Sequence, residues 1–137
     1  MKTTFWILAL PVALVWLQSE SRSEETDSQV EQGRYLVESV AMCVQCHTPR
    51  DARGELIAQR PLAGARIPFA SPFPNEQWAS SAPKIAGLAG WEEEDFVTLM
   101  QTGSRPTGET PRSPMPPFRM IREDATAIFA YLKSVRR

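Results

Sequence analysis

Cys43-Val44-Gln45-Cys46-His47 holds both cysteines and the only histidine of a 137-residue chain. A C-x-x-C-H pentapeptide reads as a site where two thiols add across the vinyl groups of a haem and the adjacent imidazole becomes an axial iron ligand. Two intervening residues let both sulfurs reach the edge of one flat macrocycle, and the next residue then lies under the iron. Other chemistries use the same residue types. A zinc site needs four ligands, and beyond these three the chain offers no further Cys or His, so the fourth would have to be acidic. A thioredoxin-like dithiol follows a strand in a βαβ pattern, which is missing before Cys43. A disulfide across so short a loop would add little stability. Haem attachment is the reading these residues favour.

An iron held by His47 needs a sixth ligand. With no second histidine, bis-histidine ligation within one chain is excluded, and methionine sulfur is the natural candidate. Met1 belongs to the apolar start, Met42 adjoins the attachment site on its proximal side, and Met100 falls on an apolar helix face. Met115 and Met120 remain. Met115 is favoured because Pro114-Met115-Pro116-Pro117 holds the backbone extended and presents the thioether from a rigid loop. Met120 reads as a hydrophobic lead-in to the last helix.

Three helical segments must position these groups. The first is expected from about Ser28 to Val44, with Val30, Tyr35, Leu36, Val40 and Cys43 as an imperfect apolar stripe and Gly33 as its weak point. The second starts after Gly90-Trp91, where Glu92, Glu93, Glu94 and Asp95 suit a helix N-terminus, Phe96, Leu99 and Met100 form an apolar face, and Gly103 suits the end. The third carries Ile121, Ala125, Ile128, Leu132 and Val135 at steps of four, three, four and three, with basic residues at its close. A small residue such as Gly33 would let an aromatic of the last helix approach closely, so the first and last helices are expected to cross. Eleven of the twelve prolines lie between Pro49 and Pro117, which makes the intervening loops stiff and irregular rather than regular sheet. A haem enclosed by those loops would enlarge a modest apolar core.

The amino end addresses the compartment. Met1-Lys2 followed by the apolar run of residues 3–17 looks like an export signal, too short for a comfortable membrane span. Ser19-Glu20-Ser21 offers small residues at a cleavage spacing without an A-x-A, so residues 1–21 are either a removed signal peptide or an uncleaved membrane anchor. Residues 22–28 form a polar linker, and 29–137 a single small domain. The formal charge is −1 and gives no support to nucleic-acid binding. With one Cys/His pentapeptide and no internal repeat, a single haem is expected.

Gly33-Arg34-Tyr35-Leu36, the Cys43–His47 motif, Pro83-Lys84-Ile85-Ala86-Gly87-Leu88, Thr102-Gly103, Met115-Pro116-Pro117 and Ala127-Ile128-Phe129-Ala130-Tyr131-Leu132, in this order, resemble the bacterial monohaem class I cytochromes c. The likeness covers about Gln29 to Val135, and is strongest to small exported cytochromes and the cytochrome c subunits of periplasmic dehydrogenases. It implies an all-α cytochrome c fold with crossing terminal helices and Pro-rich loops around one covalently bound haem c. It also implies that the Pro83 carbonyl accepts a hydrogen bond from His47, that Ile85 and Leu88 pack on the haem, and that Tyr131 meets the first helix near Gly33. The stretch between His47 and Pro83 is longer than in the smallest members. Its aromatics, Phe69, Phe73 and Trp78, are expected as a lid over the haem edge, with a partner-docking surface as the alternative. Arg50, Arg53, Arg60 and Arg66 make the same stretch basic, as a solvated loop or a docking feature.

An iron closed by His47 and Met115 has no open position, so one-electron cycling is expected rather than enzyme chemistry. The setting would be the periplasm, soluble or anchored to the outer face of the inner membrane through residues 3–17. A periplasmic dehydrogenase would be the donor, and an oxidase or another cytochrome the acceptor. The alternative is a haem sensor or peroxidase whose methionine is displaceable.

Overall fold

A computed structural model describes residues 24–74 and 77–135, so the apolar start, Arg22-Ser23 and the last two arginines lie outside the described residues. Helix α1 covers 24–35 and continues as a π-helical turn at Leu36–Val40. Residues 24–28, read above as linker, are its exposed first turns. The helix stops earlier than Val44. Met42 takes a left-handed backbone with φ of 52°, which breaks the run, and a separate short helix α2 follows at Val44–His47. A π-turn widens the ladder by one residue, and Ala41 closes it by donating to the Leu36 carbonyl at 2.7 Å.

Helix α3 runs Glu93–Thr102 and α4 runs Arg122–Ser134. Both follow their apolar spacing. Phe96, Val97, Leu99 and Met100 of α3 are buried, as are Ala125, Ala127, Ile128 and Leu132 of α4. Gly103 ends α3 in the left-handed conformation and donates to the Leu99 carbonyl at 2.8 Å, as its type suggests. Phe96 meets Phe129 with ring centroids 5.7 Å apart, and Arg122 pairs with both oxygens of Glu94 at 2.7 and 2.9 Å. The acidic start of α3 therefore serves helix packing as well as helix-end electrostatics. Ile121, expected to begin the buried stripe of α4, is instead its N-terminal flank and is 61% exposed.

Helices α1 and α4 cross at Gly33. A Cβ there would overlap the Ala127 carbonyl and lie 2.8 Å from the Tyr131 Cβ, so only a hydrogen fits between the two backbones. Tyr131 lies over the next turn and donates its hydroxyl to Glu38 Oε1 at 2.7 Å. Contrary to the expectation of no regular sheet, two residues each from β1 (Ala65–Arg66) and β2 (Ser81–Ala82) form a small antiparallel ladder, with Ala65 opposite Ala82. Among the described residues no helix is long and apolar enough to cross a membrane.

Candidate functional site

Helix α2 is the platform. His47 donates its N–H to the Cys43 carbonyl at 2.9 Å, so Cys43, Cys46 and His47 lie within a single turn and at the (i, i+3) and (i, i+4) spacings of one helix face. Both thiols are free and half-buried. Burial pushes the Cys43 thiol up to about 11, which keeps its proton in place in the bare polypeptide.

His47 is buried, and its Nδ1 lies 2.7 Å from the Pro83 carbonyl oxygen. A carbonyl only accepts, so Nδ1 carries the hydrogen and the lone pair is left on Nε2. Burial lowers the imidazole pKa, partly offset by that same hydrogen bond. A neutral ring of fixed tautomer with Nε2 as its basic nitrogen is what iron ligation requires. The proline loop is itself held twice. Ile85 and Ala86 both donate to the Leu62 carbonyl, at 3.0 and 3.1 Å, and Gly87 donates to the Leu132 carbonyl of α4 at 2.8 Å. Leu88 is buried in the core cluster and Ile85 packs against it half-buried.

Three residues that carry no ligand chemistry hold this arrangement and were not singled out above. Thr48 is buried, and its Oγ1 accepts the Leu62 N–H at 3.0 Å. Gly64 donates to the His47 carbonyl at 2.7 Å from a backbone with φ of 85°, where a Cβ would lie 2.8 Å from the Lys84 nitrogen. Leu62 is fully buried in a left-handed conformation. A glycine in the middle of a Pro-rich loop was the available signal for Gly64, shared with Gly54 of the same loop. Leu62, a non-glycine, offered none.

A cavity of about 340 Å³ opens beside Cys46, with Ala65, Arg66, Ile67, Pro68 and Phe69 of the long loop among its lining residues. The loop therefore walls the space next to the attachment cysteine. Its aromatics divide: Trp78 is half-buried and meets Phe69 edge-on at 5.9 Å, whereas Phe73 is 67% exposed. Arg50 is engaged locally, donating to the Gly54 carbonyl at 2.7 Å and to Gln45 Oε1 at 2.5 Å, while Arg53, Arg60 and Arg66 are exposed. Met115 is half-buried and packs against the core, as does Met120, whose N–H donates to the Met100 carbonyl at 3.0 Å. Two half-buried thiols one turn apart and an oriented imidazole fit a covalently bound haem, while the cavity borders Cys46 but neither Cys43 nor His47.

The sequence is similar to known proteins. A model of the cytochrome c family matches residues 30–136. The chain is 32% identical over 111 residues to a diheme cytochrome c-type protein of Cereibacter sphaeroides, covering 77% of this chain and 35% of that protein. It is also 32% identical over 108 residues to the cytochrome subunit of fructose dehydrogenase from Gluconobacter japonicus, covering 75% of this chain and 21% of the subunit. The match to the cytochrome c subunit of the quinone-type alcohol dehydrogenase of Gluconobacter oxydans is 32% over 81 residues, 57% of this chain and 17% of the subunit. The chain thus spans about a third or less of the length of these relatives.

Proposed function

Because this chain belongs to the cytochrome c family, we propose that it is a one-electron carrier whose single haem is joined to Cys43 and Cys46, with His47 and Met115 as the axial iron ligands. The family carries covalently attached c-type haem and transfers electrons. The observation that carries the His47 part of this reading is the 2.7 Å contact between His47 Nδ1 and the Pro83 oxygen, which orients the ring and raises the donor strength of Nε2. When bound, the haem supplies reversible one-electron chemistry. The chain's own residues do the rest. Cys43 and Cys46 fix the group against loss, and Leu88 with Ile85 offers it an apolar wall. Met115, flanked by Pro114 and Pro116, would supply its thioether as the second ligand and would thereby keep exogenous ligands out. Thioether ligation raises the potential relative to a second nitrogen, which suits accepting electrons from a dehydrogenase.

The named relatives that are cytochrome subunits of alcohol and fructose dehydrogenases support a dehydrogenase as donor; an oxidase or another cytochrome would be the acceptor. The apolar run of residues 3–17 supports export, with the domain in the periplasm or held at the outer face of the inner membrane. Mass spectrometry of the exported protein tests the core of this reading. The expected mass exceeds that of the polypeptide by one haem, and replacing Cys43 and Cys46 by serine abolishes the increment. Carbon monoxide tests the closed iron: the reduced protein at neutral pH should bind it slowly, and ready binding would favour a sensor or peroxidase instead.

A further inference from the structure

The stretch between His47 and Pro83 touches both halves of the proposed ligand set. At its near end Leu62 and Gly64 are bonded to Thr48 and to the His47 carbonyl, and the Leu62 carbonyl receives Ile85 and Ala86 from the loop that carries Pro83. The β1–β2 ladder and the Ile67 N–H to Ser80 carbonyl bond, 3.0 Å, extend this order outward. Farther out, the Trp78 indole N–H donates to the Phe69 carbonyl at 3.1 Å. The following residue, Ala79, donates to the Ser113 carbonyl at 2.7 Å, and Trp78 bridges Ser113 in parallel. Ser113 stands two residues before Met115.

We propose that residues 62–69 together with 78–82 form a strap that ties the Met115 segment to the His47 turn, with Trp78 and Ala79 as positioning residues that keep the thioether seated. The proposal rests on the His47/Met115 reading above. Its physical content is a continuous backbone path. The path runs from the His47 carbonyl through Gly64 and the ladder to Ala79 and Ser113, without passing through the helices. The Met115 segment is anchored on its other side by Met120 to the Met100 carbonyl of α3. Met115 thus sits on a span pinned at both ends, and the strap supplies the pin nearer in sequence. Freeing that pin would let the segment swing, so that the Met115 thioether would leave its place more often although neither ligand residue has been changed.

The test uses the full haem-loaded chain. Ala79→Pro deletes the N–H that Ser113 receives, and Trp78→Leu removes the indole donor and its ring contact. Both should keep covalent haem and the ferric sulfur-to-iron absorption band at neutral pH. The reduced protein should bind carbon monoxide faster by about five-fold, the scale set by one lost hydrogen bond, and the band should disappear at lower pH than in the parent. If Ala79→Pro yields no loaded protein, Trp78→Leu decides by the same readouts. Tyr131→Phe, which loosens the α1–α4 contact, separates positioning from general stability and should leave carbon monoxide binding at the parental rate. Parental rates in both strap variants, or an equal increase in Tyr131→Phe, would overturn the strap. Met115→Ala reports separately: loss of the band upholds the ligand reading, while its persistence sinks that reading and the strap with it.

Discussion

Replacing Gly33 by alanine sets two effects of opposite sign against each other. In an isolated helix, alanine is favoured over glycine by about 1 kcal/mol. At this position, however, the added methyl would overlap the Ala127 carbonyl oxygen, lie 2.6 Å from its carbon and 2.8 Å from the Tyr131 Cβ. Ordinary carbon–carbon contact is about 3.5–4.0 Å, so α1 and α4 must separate by roughly 1 Å. The neighbours are backbone atoms, which cannot rotate away, and α4 is also bonded to Gly87 and packed on α3. Overpacking of this kind costs about 1–3 kcal/mol, here at the upper end, which leaves a net loss of about 2 kcal/mol after the propensity gain. For a domain of this size that is a fall in Tm of about 10 °C. Thermal unfolding of the haem-loaded protein, followed by far-ultraviolet circular dichroism, reads it directly. A variant melting at or above the parental temperature would show that helix propensity wins and that the helices do not meet closely at Gly33.

Met115→Ala should abolish the sulfur-to-iron band and lower the midpoint potential. Met120→Ala should keep both and lose only packing, less than the 2–5 kcal/mol of a fully buried methionine because Met120 is half-buried; visible spectra and potentiometry separate the two. Thr48→Val leaves the buried Leu62 N–H without its acceptor and should cost about 1–3 kcal/mol in urea unfolding, while Thr48→Ser restores the parental midpoint. Tyr131 gives a pH dependence. Burial and the bond to Glu38 raise its pKa above the usual 10, so the folded state favours the neutral phenol. Its contribution is complete below pH 10 and is lost as pH climbs from there through the folded value. Stability should therefore fall with pH in that alkaline window, and a Tyr131→Phe variant with the same slope would refute the assignment.

The helices were legible because their information is local. Glu92 to Asp95 and Gly103 bracket α3, and the four–three spacing of Ala125, Ile128 and Leu132 marks the face of α4 that is buried. Gly33 signalled a close crossing with an aromatic of the last helix because a missing side chain leaves room for a large one, and the family resemblance singled out Tyr131. Where the periodicity was weak, local reading overran. The α1 pattern continues in sequence past Val40, but the chain turns at Met42, a residue type that carries no signal for a left-handed backbone.

The stretch from His47 to Pro83 was opaque for a different reason. Its order comes from main-chain bonds between distant residues, Gly64 to His47, Ile85 to Leu62 and Ala79 to Ser113, and almost any side chain can carry such a bond. Composition therefore showed stiffness without showing to what the loop is tied. The aromatics suggest a lid or a docking surface, yet most of the bonds that secure the loop come from Leu62, Gly64 and Ala79, and Trp78 is the one aromatic that joins them. A site can thus be recognised from its ligands while the means of holding them stays invisible. At Cys43–His47 the motif names the chemistry, and the backbone of a loop without motif holds the motif in place.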